Sequence, residues 1–322
     1  MKARALVCSL MLAAASVGVM DAMRQQSLAP SEPPEPPLHL TPSEILLYQF
    51  APTLIGWTPK QIHHFPALHD LRPVANPDQL PMVLERAGQR CALLFRDFLQ
   101  VSADEEVLSV LRFQSPNPIT GTLDYPPKLR KFRYIIIPRP NGDLPGFEEY
   151  RTDLKGAPRD ATSLGDLFMI TSDFVSIGLH LSASDQPGSN FRYFGIQEIR
   201  SRKCHVVGFA QDPKRARHVE ELDVEGGRVI LLVQGLAWVD AQTFQILRVM
   251  TWLLAPRKDI GLTSQVSTVD FYPVQPSGSE RVLWLPRDVT VRVHFRDIDI
   301  RNTHHYSNFR LFRVESTIKP GT

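Results

Sequence analysis

From Glu105 onward the apolar residues of this 322-residue chain recur with a period of two, in runs separated by turn residues. That period places alternate side chains on opposite faces of an extended chain, so the runs predict strands. They span 105–113, 132–138, 147–152, 191–199, 204–210, 229–239, 244–254, 263–272, 289–295 and 306–315. The cleanest puts Val289, Val291, Val293 and Phe295 on one face and Thr290, Arg292, His294 and Arg296 on the other, the pattern of a sheet with one dry and one wet side. Short connections favour antiparallel pairing. In the last run the apolar phase shifts between Leu311 and Phe312, which a β-bulge or a local twist explains. The 27 prolines fit many short strands joined by turns better than long helices.

Helices are expected before these strands. Thr41, Pro42 and Glu44 form a start signal: a side-chain acceptor at the N-cap, a proline where no hydrogen bond is lost, and an acid three residues on. That helix should run to about Ala51. Thr58, Pro59 and Gln61 repeat the device for a helix ending near His64, and Asn76, Pro77 and Gln79 announce a third. In the third, Leu80, Val83, Leu84, Ala87, Cys91, Leu94, Phe95 and Phe98 fall at spacings of three and four and make one apolar face. Between the runs ending at 152 and starting at 191, Leu164, Leu167, Phe168, Phe174, Val175 and Gly178 suit a further, inserted helix, although Ile177, Leu179 and Leu181 equally suit a strand.

The first residues carry Lys2 and Arg4 ahead of an uncharged apolar stretch from Ala5 to Met20, the order of a secretory signal peptide. The expected organisation is a signal peptide over 1–22, a Pro-rich linker over 23–41 and a single domain over 42–320. Pro30, Pro33, Pro34, Pro36 and Pro37 make the linker an extended spacer. The mature protein is then periplasmic or secreted, with no permanent membrane span. Cys91 and Cys204 remain once Cys8 leaves with the signal, and an oxidising compartment permits a bridge between them without requiring one. The 36 Lys and Arg balance 34 Asp and Glu with no block of like charge, so nothing in the linear sequence points to nucleic acid or an anionic membrane surface as partner.

Two stretches carry a resemblance. In Gly235 to Arg248, Trp238, Val239 and Asp240 end a strand, Thr243 follows in the turn and Arg248 sits in the next strand; Phe191 to Ala210 reads as two meander strands with Gly195, Val206, Val207 and Phe209. The Asp240 carboxylate can close the turn by accepting from backbone two residues on. Over about residues 77–318 this pattern resembles the periplasmic lipoprotein-carrier (LolA-like) superfamily. The resemblance implies an α+β, β-dominated fold: a strongly curved antiparallel sheet, an incomplete barrel, with N-terminal and inserted helices packed on its concave face. Members of that superfamily carry lipids or acylated proteins.

Catalytic signatures are absent: no Gly-x-Ser-x-Gly, no Gly-rich phosphate loop, and Glu148 and Glu149 are adjacent rather than facing. His63, His64, His69, His304 and His305 are expected at surface or turn positions, and Asp297 and Asp299 at a hairpin end. No metal or cofactor is expected. The one residue out of pattern is Arg248, a cation that strict alternation places with Phe244, Ile246, Met250, Trp252 and Leu254. Either an acid such as Glu198 or Asp240 answers it, or its charge snorkels to water along an apolar stem, or it stands at a cavity mouth with Trp238, Met250 and Trp252 and meets the polar head of a lipid-like ligand. The expected function is a non-enzymatic binding or carrier module for an apolar or acylated ligand, lipid or acylated protein, in the cell envelope. The alternatives are an envelope protein–protein interaction module using the curved sheet, and a hydrolase whose site residues come from distant strands.

Overall fold

Both predicted capping boxes form. Glu44 N–H donates to Thr41 Oγ1 (3.3 Å) and Thr41 N–H to Glu44 Oε2 (2.9 Å), opening α1 (Pro42–Gln49). Thr58 and Gln61 do the same for α2 (Pro59–His64). A short 3-10 turn at Pro77–Gln79 then leads into α3 (Leu80–Phe98). The computed structural model describes residues 40–73, 77–98, 101–114, 121–139, 146–158, 180–217, 219–224 and 227–311, all within one compact unit, Pro36–Phe312. The signal peptide, most of the linker, the helix expected over 164–178 and the phase shift at Phe312 lie outside the described residues.

The strands are β1 (Val101–Gln114), β2 (Thr122–Asp124), β3 (Lys128–Arg139), β4 (Gly146–Thr152), β5 (Ser189–Ile199), β6 (Arg202–Gln211), β7 (Glu220–Val224), β8 (Gly227–Leu231), β9 (Val233–Asp240), β10 (Ile246–Leu253), β11 (Leu262–Val274), β12 (Leu283–Phe295) and β13 (Ile298–Leu311). Eleven of them form one antiparallel sheet in the order β4-β3-β1-β13-β12-β11-β10-β9-β6-β5, with β2 also on β1. Among the described residues β4 and β5 do not meet, so the sheet is open. The run expected over 229–239 is two strands: β8 leaves the sheet to pair with β7 as a separate hairpin. Within β13 a register shift against β1 falls at Asn308, at φ 50°.

Alternation sorts the core into two clusters. On one face, here called inner, α3 lays Val83, Ala87, Cys91 and Leu94 against Val249, Phe271, Leu285 and Val289. On the other, outer face, residues 40–71 cover Val206, Leu236, Trp238 and Leu247 with Tyr48, Leu54 and Leu68. The helices thus divide between the two faces. The N-terminal segment is also stitched to the sheet by polar contacts: Tyr48 Oη donates to Ile230 O (2.7 Å), and Leu54 N–H to Gln234 Oε1 (2.8 Å). Arg192 reaches Ile55 O and Trp57 O, and Arg257 holds the capping Glu44 at 2.9 Å. The segment ends by pairing Arg72 with Ile196 on edge strand β5. This close approach explains Gly195, at φ 141°, where a Cβ would stand 2.3 Å from Arg72 O. Gly208 admits Leu54 and Phe194 in the same way, since a Cβ there would meet both within 2.6 Å.

Candidate functional site

α3 meets β10–β12 at a small cleft lined by Arg90, Cys91, Leu94, Gln245, Ile246, Phe271 and Trp284. Beyond its apolar stripe, α3 is tied to loop residues. Arg90 Nε donates to Thr243 O (2.9 Å), and Gln186 Nε2 donates to Leu84 O and Leu181 O, both at 2.9 Å. Pockets that hold drug-sized ligands enclose roughly 300–1,000 Å³, far more than this cleft. The cleft is therefore a seam between helix and sheet. Burial pushes the Cys91 thiol up to about 12, the behaviour of a packing residue rather than a nucleophile. Cys204 is likewise pushed up to about 12 by burial and lies in the outer cluster, so the two cysteines stand on opposite faces and do not pair.

The residues expected to meet a ligand are brought together on the outer face. Trp238 is 1 % exposed and its Nε1 donates to Gln197 Oε1 (2.9 Å). Trp252 stacks on Trp57 at 6.0 Å between centroids and lies 5.5 Å from Phe65, while Met250 packs at the edge of the same cluster. Arg248 stands over Trp238 at 5.9 Å. Its acid is neither Glu198 nor Asp240. The β10–β11 register puts Arg248 opposite Asp270, and Nε and Nη2 donate to the two carboxylate oxygens at 2.9 Å each. Strict alternation also fails here. A bulge between Ile246 and Arg248 turns Phe244 and Ile246 to the inner face, leaving Leu247, Met250 and Trp252 on the outer one. The neighbouring bulge at Asp270/Phe271 lines up with it, and Arg200 donates to Leu247 O (2.6 Å) and Phe271 O (2.9 Å) at the two irregularities.

Asp240 closes the β9–β10 turn as expected. It accepts from Gln242 N–H (3.0 Å), Thr243 N–H (2.7 Å) and Thr243 Oγ1 (2.9 Å), and from Arg202 Nε (2.6 Å) on its other oxygen. Burial alone would raise its pKa, but these donors hold it at about 2.

A buried polar cluster at the β4 end of the inner face went unread in the sequence. Glu105 is 0 % exposed and accepts from Arg151 Nε (2.6 Å), Arg151 Nη2 (3.0 Å), His304 Nδ1 (2.8 Å) and Tyr306 Oη (2.8 Å). Arg151 also contacts Glu149 at 3.4 Å. His304 is therefore buried, and only its neighbour His305 is an exposed strand histidine. The available clue was phase: Glu105 occupies an inward position between Ala103 and Val107, where a charge demands a partner. Burial opposes ionisation of Glu105, yet Arg151 and the hydrogen bonds hold its carboxyl at about 2. Burial also lowers His304 and His205 below 6.5.

These shifts have one sign. The unfolded chain takes up protons at Glu105, Asp240, His205 and His304 before the folded one does, so stability is full above about pH 6.5 and falls as pH drops toward about 2. Urea unfolding at stepped pH should show a loss reaching about 1.4 kcal/mol per pH unit for each proton taken up preferentially by the unfolded chain. A midpoint unchanged between neutral pH and pH about 3 contradicts the assignment.

No protein-family model matches the chain, and no curated protein matches it. Among solved structures, the chain is similar to a DUF1329 family protein from Desulfovibrio piger, 14 % identical, over 75 % of this chain and 96 % of that one, at a TM-score of 0.37. It is also similar, at 12 % identity and a TM-score of 0.36, to a domain from Vibrio parahaemolyticus named for outer membrane lipoprotein sorting, over 71 % of this chain and 91 % of that one.

Proposed function

We propose that this protein is an exported binding module of the cell envelope that holds an apolar or acylated ligand on the inner face of its sheet, with α3 as the displaceable cover. The observation that carries the reading is the seam itself: an amphipathic helix lies on an apolar sheet face, Cys91, Leu94 and Ile246 line the cleft between them, and Arg90 and the Leu84 carbonyl tie the helix to loop residues. An acyl chain replaces the helix stripe with equivalent apolar surface, so exchange costs little hydrophobic burial. Among the described residues no helix is long and apolar enough to cross a membrane. A second location is favoured by Arg248, whose side chain remains 35 % exposed beside Trp238, Met250 and Trp252 on the outer face.

Titration with a fluorescent fatty acid tests both. Leu94→Trp, which fills the seam, should weaken binding about tenfold, the effect of roughly 1.4 kcal/mol. Arg248→Leu should leave binding unchanged. The opposite outcome, with unfolding midpoints equal to wild type, moves the ligand to the outer face. Absence of binding by the wild type, together with no lipid in organic extracts of the purified protein, rejects the carrier reading.

A further inference from the structure

Cross-strand partners share a face, so the outer surface can be followed row by row from the register. One row runs Arg248, Asp270, Asp288, His305, Glu106, Lys131. Its charges are answered internally: Arg248 by Asp270, His305 by Asp288 at 2.7 Å, Lys131 by Glu106. Further along the strands, His294 opposes Asp299 and Asp299 opposes Arg112; His294 bonds Asp299 at 2.6 Å and Arg112 bonds Asp124 at 2.6 Å. Between them lies a row of different character: Trp252, Val266, Arg292, Arg301, Val110. Arg292 and Arg301 are exposed and directly opposite one another, and among the described residues neither makes an ion pair or side-chain hydrogen bond. Like charges so placed repel. The adjoining row is Met250, Thr268, Thr290, Thr303, Leu108, Leu129, hydroxyls ending in two exposed leucines.

We propose that this outer face of β1, β12 and β13 docks on an anionic lipid surface, with Arg292 and Arg301 meeting headgroup phosphates. A face whose other two charged rows are neutralised but which opposes two arginines between them is complementary to anions supplied from outside. Guanidinium forks match phosphate oxygens, and the threonine hydroxyls add donors beside them. Leu108, Leu129 and Val110, at 41 %, 57 % and 37 % exposed, suit the boundary between headgroups and acyl chains. A bilayer surface supplies both chemistries over adjacent rows.

The test is co-sedimentation of the full chain with phosphatidylcholine vesicles, with and without phosphatidylglycerol, at low and high salt. Binding should require phosphatidylglycerol and fall with salt. The double variant Arg292→Gln, Arg301→Gln should bind about thirty-fold less tightly, as expected for two surface cations. Its unfolding midpoint should stay level or rise, because the repulsion is relieved. A control with the same charge change in the neutralised rows, Lys131→Gln with Arg112→Gln, should lose far less. Equal loss in the control, equal binding to neutral vesicles, retained binding by the arginine variant, no vesicle binding by the wild type, or competition by an acidic protein in place of lipid overturns the proposal.

Discussion

Arg151→Met should destabilise the protein by about 3–5 kcal/mol, the usual result of removing one partner from a buried ion pair. Arg151 is 3 % exposed at its side chain, and the carboxylates it serves are no better solvated, Glu105 at 0 % and Glu149 at 7 %. Without the guanidinium, Glu105 keeps only the His304 and Tyr306 hydrogen bonds, and its carboxyl should rise from about 2 toward protonation. The companion Glu105→Leu, Glu149→Gln, Arg151→Met triple variant removes all three charges and should recover much of the loss, since an apolar or neutral replacement of a buried ionic cluster is often neutral. Urea midpoints of Arg151→Met and of the triple variant measure this. A loss below about 1 kcal/mol for Arg151→Met would show that the pair is hydrated and contributes as a surface bridge does.

Leu94→Ala should cost about 2–5 kcal/mol, as large-to-small changes in packed cores do. Leu94 is 8 % exposed and lies in the seam between α3 and the sheet. The internal control is its neighbour Leu93, 37 % exposed on the same helix, where Leu93→Ala should stay within about 0.5 kcal/mol. Both retain helix propensity, so the difference isolates packing. Similar losses at the two positions would mean that the apolar face of α3 is not the face seated on the sheet.

Local chemistry made most elements legible in the sequence. The Thr–Pro–x–Glu/Gln signals placed α1 and α2, the three-and-four spacing placed α3, and the period of two placed most strands of the large sheet, because caps and amphipathic phase depend only on residues within a turn or two. The errors fall where a single residue shifts phase. One bulge at Arg248 sends Ile246 and Arg248 to opposite faces, and the sequence around it alternates as an unbroken strand would.

Partners distant along the chain were decided only by the register of the folded sheet. Asp270 answers Arg248 because β11 lies beside β10; Glu105 meets His304 from 199 residues away because β1 lies beside β13. The same register sets Arg292 against Arg301, so a chain with balanced charge and no basic block acquires a local cationic patch. Period and caps determined which segments are strands and helices, since those depend on near neighbours. Which faces carry the helices, and which charges are answered, depended on strand order, which no local pattern encodes.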